Sequence, residues 1–250
     1  MVHDKHDVTL LLTRPSNEVE EMMRALIQRG FKVIVDPMLH IRPVDCPPLN
    51  LKNVQALVTT SINGIRRLSQ LTLHRHVPFY VVGDVSAHQA RQMGFNAVYA
   101  AQGSVDHLAR LLIEKLNPNA GKIIYVSGQE IKKDLVHLLS SHGYDVERII
   151  AYHALAASSL KSETQEALIT GRLNAVLFFS PRTAEVFVTL TRTYAKAFER
   201  IVALCLSPEV AKPLKTYVWQ ETLVSPERSG RSMMYTLENY FETRDRERKK

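Results

Sequence analysis

The stretch AVLFFSPRTAEVF, residues 175–187, predicts a buried strand that ends at Ser180 and leads directly into a helix. A second stretch, VQALVTTSINGIRRL at residues 54–68, has the same order, with Thr60 and Ser61 at the end of its strand. Because both place hydroxyl residues at the same point, we interpret them as two copies of one strand–helix unit. Further predicted strands and helices follow each copy: FYVVG, AHQARQM and NAVYA after the earlier one, and IVALCLS, EVAKPLK and TYVWQ after the later one.

A different unit also occurs twice. The segments VTLLLTRPSNEVEEMMRALIQRGFKVIV (residues 8–35) and KIIYVSGQEIKKDLVHLLSSHGYDVERI (residues 122–149) each predict a strand, a polar turn and an amphipathic helix followed by glycine. Strands that alternate with amphipathic helices are typical of parallel sheets with helices on both faces. The sequence therefore predicts an α/β protein with two parallel sheets. The predicted apolar helix faces consist of Val19, Met22, Met23 and Leu26 in the first segment and of Ile131, Leu135, Leu138 and Leu139 in the second.

Two segments lie outside these units and are candidate linkers. DPMLHIRPVDCPPL, residues 36–49, contains four prolines, which disfavour a helix and favour an extended chain. RIIAYHALA, residues 148–156, is also predicted to be extended. The four units can form tandem domains, or the chain can leave the first domain, build the second from the two inner units and return. The periodicity is compatible with both arrangements.

The composition favours a folded chain, because 45% of its 250 residues are hydrophobic and only 23% are charged. The net charge of +7 suits an anionic ligand, but without a dense basic stripe we expect no nucleic-acid partner. Cys46 and Cys205, the only cysteines, predict neither a disulfide framework nor a zinc site. No apolar run approaches the ~20 residues of a membrane span, and the start is not a signal peptide. We expect a cytoplasmic protein with no membrane partner.

The common catalytic signatures are missing from the sequence. It contains no G-x-G-x-x-G after a strand, no G-x-x-x-x-G-K-[ST], no G-x-S-x-G and no H-E-x-x-H. The ten histidines do not have the spacing of metal ligands. The sequence therefore predicts neither a metal site nor one of the usual dinucleotide, nucleotide or hydrolase sites.

Hydroxyl residues and glycines gather where strands lead into helices, which is the usual position of a ligand in open α/β sheets. Taken singly, each serine or threonine is simply a helix cap; taken together, they predict facing edges whose backbone amides bind anions. Tyr152 lies in the second extended segment and is either a proton donor or a packed linker aromatic. Arg14 either pairs with a carboxylate or serves its own turn. The predicted edges contain Thr13, Thr60, Ser61, Ser127, Ser180 and Ser207, with Gly64, Gly83 and Gly128.

In this order and spacing, the segments resemble the uroporphyrinogen-III synthase family from about residue 8 to residue 241. The resemblance depends on the combination of fragments, because each fragment alone is unspecific. The fragments are LLLTRP, RGFKV, PMLHIRP, VTTSINGIRRL, YVVGDVSAHQARQMGF, KIIYVSGQE, SHGYDVERIIAYHA, AVLFFSPRTAEVF and LCLSPEVAKPL.

The resemblance implies a bilobed α/β protein whose two parallel-sheet domains are joined by a two-stranded β-ladder. This favours the arrangement in which the chain leaves the first domain and returns to it. The implied first domain consists of residues 1–36 and 157–241, the second of residues 44–148, the ladder of residues 37–43 and 149–156, and a charged tail of residues 242–250. Independently of the resemblance, the charges of RDRERKK, residues 244–250, predict a solvated, frayed end.

The resemblance also implies an activity, the cyclisation of hydroxymethylbilane to uroporphyrinogen III. This linear tetrapyrrole with eight carboxylates loses its terminal hydroxyl as water, and the resulting azafulvene closes through a spiro intermediate that inverts ring D. Because pyrrole electrons drive each step, the protein mainly assists the departure of water and prevents closure to the type I isomer. The implied enzyme is a cyclising hydro-lyase, a monomer without cofactor or metal, and its candidate partner is the upstream hydroxymethylbilane synthase.

Individual residues take roles by the same resemblance. Tyr152 stands where the family has its proposed proton donor. Ser207-Pro208-Glu209-Val210 departs from the glycine and threonines of many members, and ERSGRSM after Ser225-Pro226 is a second departure. Glu209 would repel an anionic substrate unless it faces away. The substrate-binding residues implied are Thr13, Arg14, Thr60, Ser61, Asn63, Gly83, Ser86, Ser127, Gly128, Ser180 and Ser207.

Two other functions are compatible with the same fold, because a fold does not determine a function. One is a bilobed module that binds an anionic small molecule without chemistry. The other is a nucleic-acid-binding protein that uses the basic tail ETRDRERKK.

Overall fold

A computed structural model describes residues 7–15, 19–131 and 133–248. The chain divides into two compact units: unit 1 consists of residues 1–40 and 155–250, and unit 2 of residues 41–154. The chain thus leaves unit 1, builds unit 2 without interruption and returns to unit 1. In the part of the chain that is described, no helix combines the length and the apolar character needed to cross a membrane.

Unit 1 contains a five-stranded sheet with the strand order β11-β10-β9-β1-β2, in which all neighbours run parallel. Its strands are β1 (Thr9–Leu12), β2 (Lys32–Val35), β9 (Leu173–Phe178), β10 (Val202–Cys205) and β11 (Glu221–Val224). Its helices are α1 (Glu20–Gln28), α6 (Ser162–Ile169), α7 (Pro181–Leu190), α8 (Pro208–Ala211) and α9 (Gly230–Arg248), with 3₁₀ segments at Arg192–Arg200 and Pro213–Thr216.

The second sheet has six strands in the order β3-β8-β7-β4-β5-β6, and it lies in unit 2 except for the ends of β3 and β8. All neighbours from β8 to β6 run parallel. The strands are β3 (Leu39–Pro43), β4 (Val54–Thr59), β5 (Phe79–Val82), β6 (Val98–Ala101), β7 (Lys122–Gly128) and β8 (Val146–Ala156). The helices of unit 2 are α2 (Ile62–Leu71), α3 (Asp84–Gln92), α4 (Val105–Lys115) and α5 (Leu135–Ser140). The prediction of an α/β fold with two parallel sheets is confirmed.

Buried hydrophobic clusters cover both faces of each sheet. In unit 1, the side chains of β9 point alternately into the two clusters. Val176 and Phe178 pack into one cluster with Phe187 of α7, whereas Leu177 packs into the opposite cluster with Leu26 of α1. All five side chains are fully buried. Burying one such side chain contributes about 1.5–3 kcal/mol relative to leaving it in water. The continuous apolar run at residues 175–179 is therefore typical of a central strand, which β9 is.

The predicted ladder forms, but it belongs to a larger sheet. β3 and β8 are neighbours, and Val44 N donates to Ala151 O at one end of the pair while Ala157 N donates to Met38 O at the other. β8 also pairs with β7 on its other side. The chain passes from one unit to the other within these two strands.

The strand predicted at TYVWQ, residues 216–220, is wrong. This segment contains no strand, and β11 begins afterwards at Glu221. The cause is tertiary packing: Trp219 is buried against Phe198, with ring centroids 4.5 Å apart, and its Nε1 donates to Leu214 O at 2.9 Å. These contacts keep residues 216–220 from pairing with the sheet of unit 1. The β-favouring composition of the segment alone does not reveal this.

The frayed end predicted at RDRERKK, residues 244–250, is also wrong over most of its length, because α9 continues to Arg248. Met233 and Leu237 are buried and attach the helix to unit 1. The Arg244 guanidinium lies over the Tyr240 ring, one turn earlier, and donates to its hydroxyl. Residues 249 and 250 lie outside the described residues.

Candidate functional site

Ser61 and Ser180 occupy equivalent positions in the two units. Each follows a central strand and is the N-cap of the next helix, with φ −146° and ψ 151° at Ser61 and φ −147° and ψ 151° at Ser180. Ser61 Oγ accepts from Gly64 N, and Ser180 Oγ accepts from Thr183 N. Each serine therefore binds one of the unpaired amides at a helix start. The two copies of the strand–helix unit are alike even in the backbone conformation of this N-cap.

Tyr152 lies beside Ser61 in unit 2. The two hydroxyl oxygens are 2.7 Å apart, and either can be the donor. The tyrosine is only 8% exposed, and its ring rests on Gly128, where an added Cβ would lie 2.7 Å from Cε2. A side chain other than hydrogen at Gly128 would occupy the volume of the ring. The backbone adds a further contact, since Gln129 N donates to Tyr152 O at 3.0 Å.

Ser127 and Gly128, with which the polar turn of the second segment was predicted to begin, are instead the last residues of β7. Ser127 is buried, its Oγ donates to Gly128 O at 3.0 Å, and Arg148 Nε donates to Ser127 Oγ at 2.8 Å. Arg148 Nη2 also donates to Gly128 O and to Gln129 O, both at 2.8 Å. The Ser127 hydroxyl is therefore engaged in fixing the end of the strand.

The other predicted residues of unit 2 lie at the starts of two helices. Thr60 precedes α2, and its Oγ1 is 3.3 Å from Tyr125 OH. Asn63 lies in the first turn of α2, and Gly83 is the N-cap of α3, in whose first turn Ser86 lies. Gly83 has φ +80°, a conformation that side-chain-bearing residues rarely adopt. All four residues are half-buried.

In unit 1, Thr13 and Arg14 follow β1. Thr13 is fully buried and its Oγ1 donates to Leu177 O at 2.7 Å, so its hydroxyl fastens β1 to β9. The Arg14 guanidinium lies over the Phe179 ring, 4.6 Å from its centroid. An arginine held over an aromatic face keeps its orientation while its edge remains a donor.

Ser207, also in unit 1, is buried, and its Oγ donates to Glu209 Oε2 at 2.7 Å. Arg228 Nη2 binds the same carboxylate oxygen at 2.9 Å. The Ser207 hydrogen bond, the backbone amide of Glu209 itself and the charges of Arg228 and Lys212 lower the pKa of Glu209. Glu209, which departs from the family pattern, therefore remains an ionised carboxylate that is bound by Ser207 and paired with Arg228.

The structure brings Ser61, Gly128 and Tyr152 together, with Ser127 next to Gly128. Thr13, Arg14, Ser180 and Ser207 belong to unit 1. Sequence reasoning missed Arg148, which shows no pattern along the chain and is recognised only from its contacts. Among the described residues, no group of three or more histidine, cysteine, aspartate or glutamate side chains is arranged to hold a metal ion.

Comparisons with known proteins agree with the geometry of the fold. Residues 20–234 match the family model described as uroporphyrinogen-III synthase HemD. The chain is similar to the crystal structure of uroporphyrinogen-III synthetase from Helicobacter pylori, with 15% identity, 93% of this chain and 99% of that chain covered, and a TM-score of 0.62. It is also similar to a mutant uroporphyrinogen III synthase from the extremely thermophilic bacterium Thermus thermophilus, with 18% identity, 94% and 99% covered, and a TM-score of 0.58. No curated protein matches by sequence.

Proposed function

Since the chain belongs to the uroporphyrinogen-III synthase family, we propose that Tyr152 and Ser61 carry out the proton transfer on which the reaction of that family depends. Members of the family are enzymes, and the match assigns to this chain the cyclisation of a linear tetrapyrrole in tetrapyrrole biosynthesis. We take the substrate to be hydroxymethylbilane and the product to be uroporphyrinogen III, which differ by one molecule of water.

The departure of water needs a proton at the leaving oxygen, because hydroxide leaves poorly. A phenol can supply this proton, because phenols carry their proton at physiological pH. The observation that carries the proposal is the 2.7 Å hydrogen bond between Ser61 Oγ and Tyr152 OH. It ties the proposed proton donor to the start of α2 in a region that is largely shielded from water.

The 2.7 Å distance between Ser61 Oγ and Tyr152 OH is compatible with donation by either hydroxyl, and we propose that Ser61 donates. Ser61 Oγ already accepts a bond from Gly64 N, which polarises its own O–H. When Ser61 donates to the Tyr152 oxygen, the phenolic proton is directed away from Ser61 and towards a substrate hydroxyl. As the proton leaves, the Ser61 O–H and the positive end of α2 stabilise the negative charge that develops on the phenol oxygen.

The eight carboxylates of the substrate require hydrogen-bond donors with little competing negative charge. In our proposal the donors of unit 2 come from the starts of α2 and α3, at Thr60, Asn63, Gly83 and Ser86 and at the backbone amide of Ser61, whose hydroxyl is the donor to Tyr152. In unit 1 we propose Arg14 and Ser180 as donors. Thr13, Ser127 and Ser207 already bind protein groups through their hydroxyls, and we propose that they support neighbouring donors.

Finer features of the enzyme follow from the same proposal. The reaction makes it a cyclising hydro-lyase, and pyrrole electrons can drive it without a metal or cofactor. We propose that it works as a monomer in the cytoplasm and receives its unstable substrate from hydroxymethylbilane synthase. Size measurement of the purified protein and co-purification with that synthase test these two features separately.

Replacing Tyr152 by phenylalanine tests the proposed proton donor. We expect Tyr152→Phe to lower kcat by about 10²-fold or more, the usual contribution of a positioned general acid. The control is Tyr144→Phe, because Tyr144 is equally buried in unit 2 and its hydroxyl donates to the Leu116 and Ile113 carbonyls, away from Ser61. An unchanged kcat in Tyr152→Phe would remove Tyr152 from the mechanism.

Substrate turnover separates catalysis from simple binding. Purified chain should consume hydroxymethylbilane faster than the spontaneous reaction, in proportion to enzyme concentration and for many turnovers. Recovery of unaltered hydroxymethylbilane bound in a fixed ratio to the protein would instead support a binding module.

A further inference from the structure

β8 contains one extra residue immediately before Tyr152. Ser127 of β7 pairs with Ile150, and the next residue, Gly128, pairs with Tyr152. β8 therefore advances by two residues where β7 advances by one, and Ala151 is the additional residue. An extra residue of this kind bends a strand and changes the direction of the side chains that follow, and such bulges are frequent next to active sites.

The extra residue determines the face on which Tyr152 lies. Side chains alternate along a strand, so Ile149 and Ala151 share one face of the sheet, and both belong to the cluster that packs on α2. Tyr152 would face away from this cluster in a regular strand. Instead, Tyr152 and Ala154 lie in the same cluster as Ile149 and Ala151. Without the bulge the phenol would point to the opposite face, away from Ser61.

Arg67 of α2 binds the bulge directly. The Ala151 carbonyl accepts from Val44 N at 3.0 Å and from Arg67 Nε at 2.9 Å. Arg67 Nη2 donates to Val44 O at 2.8 Å. One half-buried guanidinium therefore joins the bulged residue to the chain segment beside it, in a fork geometry that a lysine cannot reproduce.

Helix α2 thus holds Tyr152 at two points. Its N-cap, Ser61, binds the phenol hydroxyl, and Arg67, less than two turns later, binds the carbonyl of the peptide that leads into Tyr152. Two fixed points on one rigid helix define both the position and the direction of the side chain between them. With only one of these two contacts, the opposite end of Tyr152 could move.

We propose that Arg67 is a positioning residue for the cyclisation, which acts by fixing the Ala151 bulge and thereby keeps the Tyr152 hydroxyl on Ser61. This role rests on the proposed function of Tyr152. Arg67 touches no substrate in this proposal, and its removal weakens the proton transfer without weakening substrate binding.

A double-mutant cycle with Tyr152 tests the proposal. We expect Arg67→Met to lower kcat by about tenfold or more at nearly unchanged KM, since misplacement by ~1 Å is enough for such a loss. In a Tyr152→Phe background the same substitution should have little further effect, because the phenol it positions is already gone. The matched control is Arg75→Met: Arg75 also binds backbone carbonyls of unit 2, those of Ser69, Thr72 and Met93, but makes no contact with the bulge.

A spectroscopic measurement reports the position of Tyr152 without relying on catalysis. With 3-fluorotyrosine incorporated, the ¹⁹F signal that disappears in Tyr152→Phe should shift in Arg67→Met and in Ser61→Ala, and should stay in place in Arg75→Met. If Arg67→Met does not fold, Arg67→Lys keeps the positive charge, loses the fork and should give the same shift with a smaller loss of kcat.

The outcomes distinguish this proposal from the function on which it rests. Equal losses of kcat from Arg67→Met with and without the Tyr152 hydroxyl, or an unmoved ¹⁹F signal, would overturn the positioning role and leave Tyr152 as the proton donor. A Tyr152→Phe variant with normal kcat would overturn both. Loss of kcat in Arg75→Met as large as in Arg67→Met would show a general effect of destabilisation and would also overturn the positioning role.

Discussion

Replacing Gly128 by alanine would place a methyl group against the Tyr152 ring. The new Cβ would lie 2.7 Å from Cε2, 2.8 Å from Cζ and 3.2 Å from the hydroxyl oxygen. Carbon atoms pack favourably at about 3.5–4.0 Å, so the ring or the strand has to move by roughly 0.8 Å or more. Gly128 does not have a positive φ, so alanine adds no backbone strain of its own. The substitution therefore perturbs Tyr152 specifically.

The displacement determines the size of the expected effect. Overfilling a packed site typically costs about 1–3 kcal/mol of stability. Movement of the ring lengthens the 2.7 Å bond between Tyr152 OH and Ser61 Oγ, and a misplacement of ~1 Å in a catalytic group can cost about 10²-fold in rate. For Gly128→Ala we expect kcat to fall by about 10-fold to 10²-fold, with a much smaller change in KM.

The assay compares Gly128→Ala with Gly143→Ala, each normalised to the folded fraction. Gly143 also lies in unit 2 and has φ +82°, so alanine strains its backbone, but the only neighbour of an added Cβ within 4 Å among the described residues is Pro118 Cβ at 3.8 Å. Gly143→Ala should therefore lose stability and keep its kcat. A normal kcat in Gly128→Ala, or an equal loss of kcat in both variants, would show that the added methyl group does not act through Tyr152.

Three further predictions concern unit 1 and the cysteines. Burial raises the pKa of Cys205 to about 12, so an alkylating reagent at pH 8 should label Cys46 well before Cys205; equal rates would contradict this. Ser207→Ala removes the largest cause of the lowered pKa of Glu209 and should move that pKa up towards its ordinary value of 4.5 in an NMR titration. A lowered carboxyl pKa stabilises the fold above the ordinary pKa of 4.5, and this stabilisation is lost as the pH falls through the lowered pKa. Ser207→Ala should therefore lose less stability than the parent on acidification. The same pH dependence of stability in both proteins would argue against the contact. Phe198→Ala should lower the free energy of unfolding by about 3–5 kcal/mol in a urea titration, because its ring is fully buried among aromatic neighbours; a loss below ~1 kcal/mol would contradict this packing.

Local patterns predicted the sheets because parallel α/β units have strong sequence signals. The apolar run before Ser180 became the central strand β9, and Gly30 takes φ 89° at the end of α1, as a left-handed helix end requires. The extended segment around Tyr152 became β8. Each of these features depends on residues close together in the sequence.

Features that depend on distant contacts were not predictable in the same way. Trp219 enters the core and displaces the expected strand, and Arg67 meets the Ala151 carbonyl only after α2 packs on β8. Some hydroxyl residues of the candidate site could likewise be placed from the sequence, and others could not. Ser61 and Ser180 could be placed from the strand–helix pattern, whereas the burial of Thr13 and the engagement of Ser207 with Glu209 appear only in the folded chain.

The identity of the cyclic product shows whether this chain directs ring closure to the type III isomer. Hydroxymethylbilane should be added to an excess of the purified chain, so that enzymatic closure outruns spontaneous closure, and the oxidised products should be separated as porphyrin isomers. We predict the type III isomer, with ring D inverted, as the main product. Type I isomer alone, formed at the spontaneous rate, would contradict this prediction.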